Sequence, residues 1–328
     1  MQCDSHARLW RLLLPAFVVA LLIQPARAVV SPRELLATGQ VDEAIQTLEQ
    51  KVSISVTDAE SFNLLCRAYY MIDDWDRGIH ACERASNIDP QNSLYHLWLG
   101  RIYGEKAEHA GFFAAAGLAK KVRNSFERAV ALDPGSWEAR VDLADFYLEA
   151  PSIVGGGQDK ARSQADALFP FNPAMAHWVL ARIAAKNKDA AGAEREYRAS
   201  IEASHGGSQA WLHLAQFLAR ANRLDEMDEA LRTMESSTVD RPDSLMDGAS
   251  LLLRIDRNYP LAVRLLRRYL LSPAEEGPAF KAHEFLGQLL ERQGNRRAAA
   301  EQYRAALALF HGYARARQDL KRVEERDI

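Results

Sequence analysis

The chain has 328 residues, of which 26% are charged, 9% are aromatic and three are cysteine, and its formal net charge is −3. This near-neutral balance of 41 basic and 44 acidic residues gives no general argument for binding nucleic acid or an anionic membrane. Apolar residues recur with helical spacing, and no segment shows the period of two that is typical of half-buried strands. The composition therefore favours an all-α protein.

The first 28 residues have the pattern of an export signal. Arg8 and Arg11 precede an apolar run over 12–23, and Ala26 and Ala28 are the small residues that a signal peptidase reads. The alternative is an uncleaved membrane anchor, but a helix needs about 20 apolar residues to span a bilayer. We predict a signal peptide over 1–28, cleavage after Ala28, no membrane span in the mature chain, and the periplasm as the expected compartment.

Residues 59–92 form a unit of 34 residues that predicts two helices. Its apolar and small residues recur three or four positions apart: Phe62, Leu65, Cys66 and Tyr69 on the first helix, and Gly78, Cys82 and Ala85 on the second. Small side chains let the two helices approach closely, and the large ones fill the space between them. Pro90 ends the second helix because its ring cannot continue the hydrogen-bond ladder.

This unit resembles the tetratricopeptide repeat (TPR), a helix pair of 34 residues with aromatic, leucine and small residues at fixed positions. The spacing returns along the chain, for example at Leu99, Gly100 and Tyr103. The resemblance implies a right-handed α-solenoid over 29–328, with about six to seven repeats and a capping helix at 313–326. A partial repeat is expected near 31–58, followed by repeats near 59–92, 93–136, 137–173, 174–207, 208–242, 243–276 and 280–312.

Two consecutive units carry extra residues, which we expect to project from one edge of the array. The first insert is rich in alanine, glycine and phenylalanine and contains Phe112 and Phe113, a candidate tip for partner binding that could equally fold back onto the array. The second contains Gly155–Gly157 before a helix, where backbone N–H groups can bind an anion. The spacing of a phosphate loop is missing there, so a flexible spacer is the favoured interpretation.

Two cysteines remain after signal cleavage. Cys66 and Cys82 occupy facing positions of one helix pair, and export leads to an oxidising compartment, so a disulfide is predicted. The alternative is two buried free thiols. A zinc site with His80 is disfavoured because His80 and Cys82 face different sides of one helix. We expect no metal and no cofactor.

The resemblance also implies a concave groove lined by the first helix of each pair. In this chain the groove residues are Asn63, Arg67, Tyr70, Leu97, Arg101, Asp145, Trp178, Arg182, Lys186, Gln216 and Arg220. Arginine and aromatic side chains dominate the binding energy of protein interfaces. The excess of basic residues in this set predicts an acidic peptide as the ligand, and the alternative is an ordinary solvated surface.

No motif of a serine hydrolase or a zinc protease occurs in the sequence. We expect a non-catalytic protein–protein interaction scaffold outside the cytoplasm, which binds a protein or peptide and no nucleic acid. Two alternatives stay open. One is an accessory or regulatory subunit of an envelope enzyme complex, and the other is a small-molecule-binding enzyme that uses Gly155–Gly157.

Overall fold

The computed structural model describes residues 30–272 and 277–325. The predicted export signal at 1–28 lies outside the described residues. From Ser31 onward the chain forms one compact unit. The helix pairs of this unit, their turns and the contacts between them position the candidate site.

The described residues form seventeen α-helices and no strand, which confirms the predicted all-α solenoid. In chain order the helices are α1 Pro32–Ala37, α2 Val41–Ile54, α3 Ala59–Met71, α4 Trp75–Ile88, α5 Ser93–Glu108, α6 Phe112–Leu132, α7 Trp137–Glu149, α8 Gln158–Leu168, α9 Pro173–Lys186, α10 Ala190–Ala203, α11 Ser208–Arg220, α12 Leu224–Ser236, α13 Asp243–Arg254, α14 Tyr259–Leu271, α15 Ala279–Arg292, α16 Arg296–Leu309 and α17 Ala314–Glu325. The first sixteen form eight pairs, each of a helix A and a helix B. A 3₁₀ helix, Ser152–Val154, lies between α7 and α8.

Local chemistry sets where the helices begin and end. The Asp58 carboxylate accepts a hydrogen bond from the Ser61 N–H at 3.0 Å and so caps the start of α3. Within most pairs the turn has three residues, and the middle one has a left-handed backbone, as at Asp73, Asn222 and Gly294. A left-handed residue ends helix A and redirects the chain at once. The connections of the two pairs with inserts depart from this pattern. The α5–α6 turn also has three residues but no left-handed one, and its insert lengthens α5 and α6, whereas the second insert lengthens the α7–α8 connection to eight residues.

Helix A and helix B of a pair meet where a small residue faces a large one. A Cβ added at Gly100 would lie 2.4 Å from the Phe126 ring, and one added at Gly287 would lie 2.5 Å from the Tyr303 ring. Glycine at these positions therefore lets an aromatic ring fill the space between two closely packed helices.

The equivalent positions of the α3–α4 pair hold Cys66 and Cys82, whose sulphur atoms are bonded at 2.07 Å with the Cα atoms 5.2 Å apart. Both side chains are fully buried. The disulfide takes the place of the ring contact in the other pairs and joins α3 to α4 covalently. Closing a loop of this length stabilises a fold by about 3 kcal/mol in the chain-entropy account.

A recurring tyrosine links each of three pairs to the pair before it. The Tyr69 hydroxyl donates to Glu49 at 2.5 Å, the Tyr147 hydroxyl donates to Glu127 at 2.8 Å, and Tyr103 binds a glutamate in the same way. In each case the carboxylate lies 20 residues earlier, on the preceding helix B. Burial, followed by the glutamate, raises the pKa of these tyrosines, so they remain protonated donors.

The two ends of the array touch each other, and we call this contact the seam. Lys281 on α15 binds Asp73 at 3.1 Å, and the backbone N–H of His311 donates to Asp42 at 2.7 Å. Beneath these polar contacts, Phe280 belongs to the same hydrophobic core as residues of α1. The helix pairs therefore surround a central cavity that is open to solvent.

The predicted capping helix, α17, is more than a solvent-exposed cap, because one of its faces is buried. Ala316, Asp319 and Val323 of α17 are buried, and α17 packs on α15 and α16. Tyr313, immediately before α17, packs its ring 4.8 Å from Phe280. One face of the charged C-terminal segment thus completes the last pair and contributes to the seam.

Candidate functional site

The central cavity has a volume of about 1980 Å³. Its walls come mainly from α3, α5, α6, α7 and the segment between α7 and α8. The loop from Val239 to Asp243 contributes from the second half of the chain. A cavity of this size exceeds the 300–1,000 Å³ that is usual for small-molecule pockets.

Five of the residues predicted to line a groove line this cavity, namely Arg67, Tyr70, Leu97, Arg101 and Asp145. Six others are absent from its lining: Asn63, Trp178, Arg182, Lys186, Gln216 and Arg220. Asn63 is only 2% exposed, so it packs within the array instead of facing a ligand. The helix-A positions taken from the family pattern therefore apply best to the pairs α3–α4, α5–α6 and α7–α8.

Two arginines of the predicted groove are neutralised by carboxylates on α7. Arg101 binds Asp142 at 2.6 Å, while Arg182 binds Asp145 and also Glu149 at 2.7 Å. The three acidic residues lie three and four positions apart, so they share one face of α7. These arginines stabilise contacts between neighbouring pairs, and their charge is not free for a ligand.

The cavity as a whole carries more acidic than basic groups. Four arginines line it: Arg33, Arg67, Arg101 and Arg241. Nine carboxylates line it: Glu105, Glu108, Asp133, Glu138, Asp142, Asp145, Glu149, Asp240 and Asp243. The charge of the lining is therefore opposite to the basic charge that the sequence predicted.

The acidic lining could have been found in the sequence. Glu138 stands at helix-A position 2 of its unit, and Glu105 and Glu149 stand at position 13 of theirs, which are groove positions in the family pattern. The predicted groove contains the arginines and aromatic residues at such positions but not these glutamates. The charges of all the groove positions together predict an acidic lining.

Aromatic rings and guanidinium groups are stacked in one wall. Trp98 has the guanidinium carbons of Arg67 and Arg101 at 5.1 and 4.9 Å from its ring centroid. Tyr70 meets the same indole edge-on at 5.6 Å, and its hydroxyl donates to Glu105 at 2.8 Å. Stacking and ion pairing together fix these side chains, so this wall is rigid before any partner arrives.

A buried histidine, His213 of α11, lies next to Trp178 of α9. The His213 ring centroid is 5.1 Å from that of Trp178, and the side chain is buried. Burial, followed by the positive charge of Arg182, Arg241 and Arg220, lowers the pKa of His213 to about 3. The imidazole is therefore neutral at physiological pH and acts as a packed side chain.

The glycine-rich segment is used by the fold itself. The N–H groups of Gly155, Gly156 and Gly157 donate to the carbonyl oxygens of Ser152, Pro151 and Tyr147. Gly155 has a φ of 104°, and a Cβ on Gly156 would lie 1.8 Å from the Ala150 oxygen. The glycines make a tight turn possible, and their N–H groups are not available for an anion.

The described residues contain neither a metal cluster nor a spanning helix. Over 30–272 and 277–325, no group of three His, Cys, Asp or Glu side chains is arranged to hold a metal ion. Within the same ranges, no helix is both long and apolar enough to cross a bilayer.

No protein-family model and no curated protein matches the sequence. Among solved structures, yeast Tom70 is similar over 93% of this chain and 66% of its own, with 14% identity and a TM-score of 0.53. A thermophilic TPR protein of Thermus thermophilus is similar over 58% of this chain and 100% of its own, with 14% identity and a TM-score of 0.47.

A chain of the APC/C hetero-tetramer Cut9–Hcn1 is similar over 89% of this chain, with 11% identity and a TM-score of 0.41, and this chain spans 54% of its length. At such low identities, similarity establishes the fold and nothing further. The Tom70 match, together with the helix pairs and their small-to-large contacts, shows that this chain has the tetratricopeptide-repeat solenoid fold.

Proposed function

We propose that the protein is a non-catalytic scaffold that binds a segment of a partner protein in its central cavity. The observation that carries this proposal is the open cavity of about 1980 Å³ that the helix pairs line. Its volume suits a polypeptide segment better than a small molecule. Its walls combine tryptophan, tyrosine and arginine, the residue types that dominate binding at protein interfaces.

The proposal includes a location outside the cytoplasm, with the periplasm as the expected compartment. Two observations support it. The residues of 1–28 follow the export pattern, and Cys66 and Cys82 are joined in a disulfide, which is typical of oxidising compartments. N-terminal sequencing of the purified mature protein tests the location, and we expect its first residue to be Val29. A mature chain that retains residues 1–28 would contradict it.

Site-specific photo-crosslinking tests the binding site. A benzoylphenylalanine is placed at Trp137 or at Leu94, which line the cavity, and at Glu229 as the matched control, since Glu229 is exposed on α12 and outside the lining. We expect one partner protein to be crosslinked from the two cavity positions in cells of the source organism. Crosslinks that form only from the position of Glu229 would overturn the proposal.

A further inference from the structure

The N-terminal half of α6 forms one wall of a groove that opens into the central cavity. This helix has 21 residues and is the longest of the described helices. Phe112, Ala115, Ala116 and Ala119 line the cavity and are spaced three or four residues apart, so they form one apolar stripe. Phe112 is 83% exposed and Phe113 is 90% exposed, so no other described part of the chain covers this end of the helix.

The end of α7 and the insert between α7 and α8 form a second apolar wall. Phe146 of α7 and Pro151, Ile153 and Val154 of the insert line the same cavity, and Ile153 is 88% exposed. The insert is held in place by the Arg123 guanidinium of α6, which donates to the Val154 oxygen at 3.1 Å. Two consecutive repeats thus contribute apolar walls to one groove.

The groove is bordered by acidic residues. Glu105 and Glu108 on α5 and Glu138 on α7 line the cavity, and none of them forms an ion pair within the described part of the chain. Two nearby lysines are paired away from the groove, because Lys106 binds Asp76 and Lys121 lies 3.7 Å from Glu83. An incoming cation therefore meets carboxylates that are not engaged in an ion pair of their own.

We infer that this groove, which we call the α6 groove, binds a partner segment that carries apolar side chains together with lysine or arginine. The inference rests on the proposed function and gives the partner its chemistry. Apolar side chains would cover Phe112 and Ile153, and the basic ones would pair with the acidic border. The charge of this partner segment is opposite to that of the acidic peptide predicted from the sequence.

Charge also argues against two other occupants of the α6 groove. A second copy of this chain docking through the same surface would bring the two acidic borders together, which is unfavourable for like charges at an interface. An anionic membrane would be repelled by the same carboxylates. A basic segment of another protein is the occupant that fits both the apolar walls and their border.

Fluorescence anisotropy with two labelled peptides tests the inference. The first is a helical peptide of about 14 residues made of leucine and lysine, roughly four turns long, and the second has glutamate in place of each lysine. We expect the lysine peptide to bind the mature protein at least about tenfold more tightly than the glutamate peptide, with an affinity that falls as salt is added. Equal affinities for the two peptides would overturn the inference.

Variants locate the binding. Phe112→Ser combined with Ile153→Ser should weaken the binding of the lysine peptide about tenfold or more. Glu105→Gln combined with Glu108→Gln should weaken its binding and reduce the salt dependence of its affinity. The matched control is Phe171→Ser, because Phe171 is 52% exposed and is not part of the cavity lining. Phe112, Phe171 and Ile153 are exposed, and glutamine at position 105 keeps an oxygen that can accept from the Tyr70 hydroxyl, so the melting temperature should change little. Binding that is equal in all variants would place the peptide elsewhere and contradict the inference.

Three further outcomes separate the possibilities. A dimer that dissociates in the Phe112→Ser and Ile153→Ser variant would identify the α6 groove as a self-association surface and overturn the inference. Binding to anionic vesicles that is lost in the same variant would overturn it in favour of a membrane. Crosslinking from Trp137 and Leu94 that persists unchanged in this variant would leave the scaffold function intact and reject only the assigned partner chemistry.

Discussion

From α3 to α8 the helix pairs differ from those between α11 and α16 in how helix A turns into helix B. In the first region, the insert around Phe112 lengthens the helices of one pair and the insert around Ile153 lengthens the connection of the next, and this region supplies most of the cavity lining. In the second region the connections are short, with left-handed residues at Asn222 and Gly294, and the core is rich in leucine. Both regions nevertheless use the same pair geometry.

This difference shows where a solenoid can acquire a binding site at a small cost in stability. Each pair packs mainly against its neighbours, so extra residues at the edge leave the core contacts unchanged. Lengthening a surface loop costs little, since the closure entropy grows only slowly with loop length. In the first region the extra residues form walls of the cavity, whereas in the second region the regular packing supports the seam.

The largest expected effect separates the seam from ordinary core packing. Phe280→Ala should lower the free energy of unfolding by roughly 3–5 kcal/mol, because Phe280 is 1% exposed in the core that includes the seam. Phe217→Ala, in the core of the second region, is the matched control and should cost a similar amount. Urea unfolding gives both values. Small-angle scattering should show expansion for Phe280→Ala alone, and equal radii in the two variants would contradict a seam that holds the ends together.

The disulfide should stabilise the first region selectively. Replacing both Cys66 and Cys82 by alanine should lower the free energy of unfolding by about 3 kcal/mol, because the unfolded chain regains the entropy of the closed loop. Amide hydrogen exchange should accelerate in α3 and α4 and remain nearly unchanged in α13 and α14. The wild-type protein treated with a reductant is the control and should behave like the variant. Uniform acceleration along the chain would show that the two regions unfold as one unit.

Acid should destabilise the protein through His213. Its pKa is lowered to about 3, against about 6.5 in an unfolded chain. The fold favours the neutral form, so the contribution of His213 is complete above about pH 6.5 and is lost as the pH falls towards about 3. At a pH of about 4 this loss is about 3 kcal/mol.

The measurement is urea unfolding at about pH 7 and about pH 4 for the wild-type protein and for His213→Leu. Between the two values the variant should lose about 3 kcal/mol less than the wild type, since leucine does not titrate. His80→Gln, at an exposed position on α4, serves as the control and should follow the wild type. An unchanged pH dependence in His213→Leu would show that the imidazole is not buried in its neutral form.

The smallest expected effect is the difference in stability between two tyrosine variants, one from each region. Tyr147→Phe should cost about 1 kcal/mol, because it removes a hydrogen bond to the half-exposed Glu127 carboxylate. Tyr269→Phe should be neutral or slightly stabilising, because the Tyr269 hydroxyl is buried with no hydrogen-bond partner among residues 30–272 and 277–325. Thermal unfolding of the two variants checks this contrast. Equal losses would contradict it.

The helices and the packing within each pair follow from the amino-acid sequence alone. Helical periodicity and the small residues at Gly100 and Gly287 depend on neighbours three or four positions away, so they are visible in one dimension. The same local spacing placed Cys66 opposite Cys82 on facing helices. These features need no knowledge of how one pair is rotated against the next.

The charge of the cavity and the closure of the array depend on the tertiary structure. Whether Arg101 is free or bound to Asp142 depends on the rotation between neighbouring pairs, which sequence spacing does not specify. The contact between Lys281 and Asp73 depends on that rotation summed over all the intervening pairs, so it joins residues 208 positions apart. Small rotations between repeats accumulate along a solenoid, and this accumulation determines which distant side chains meet.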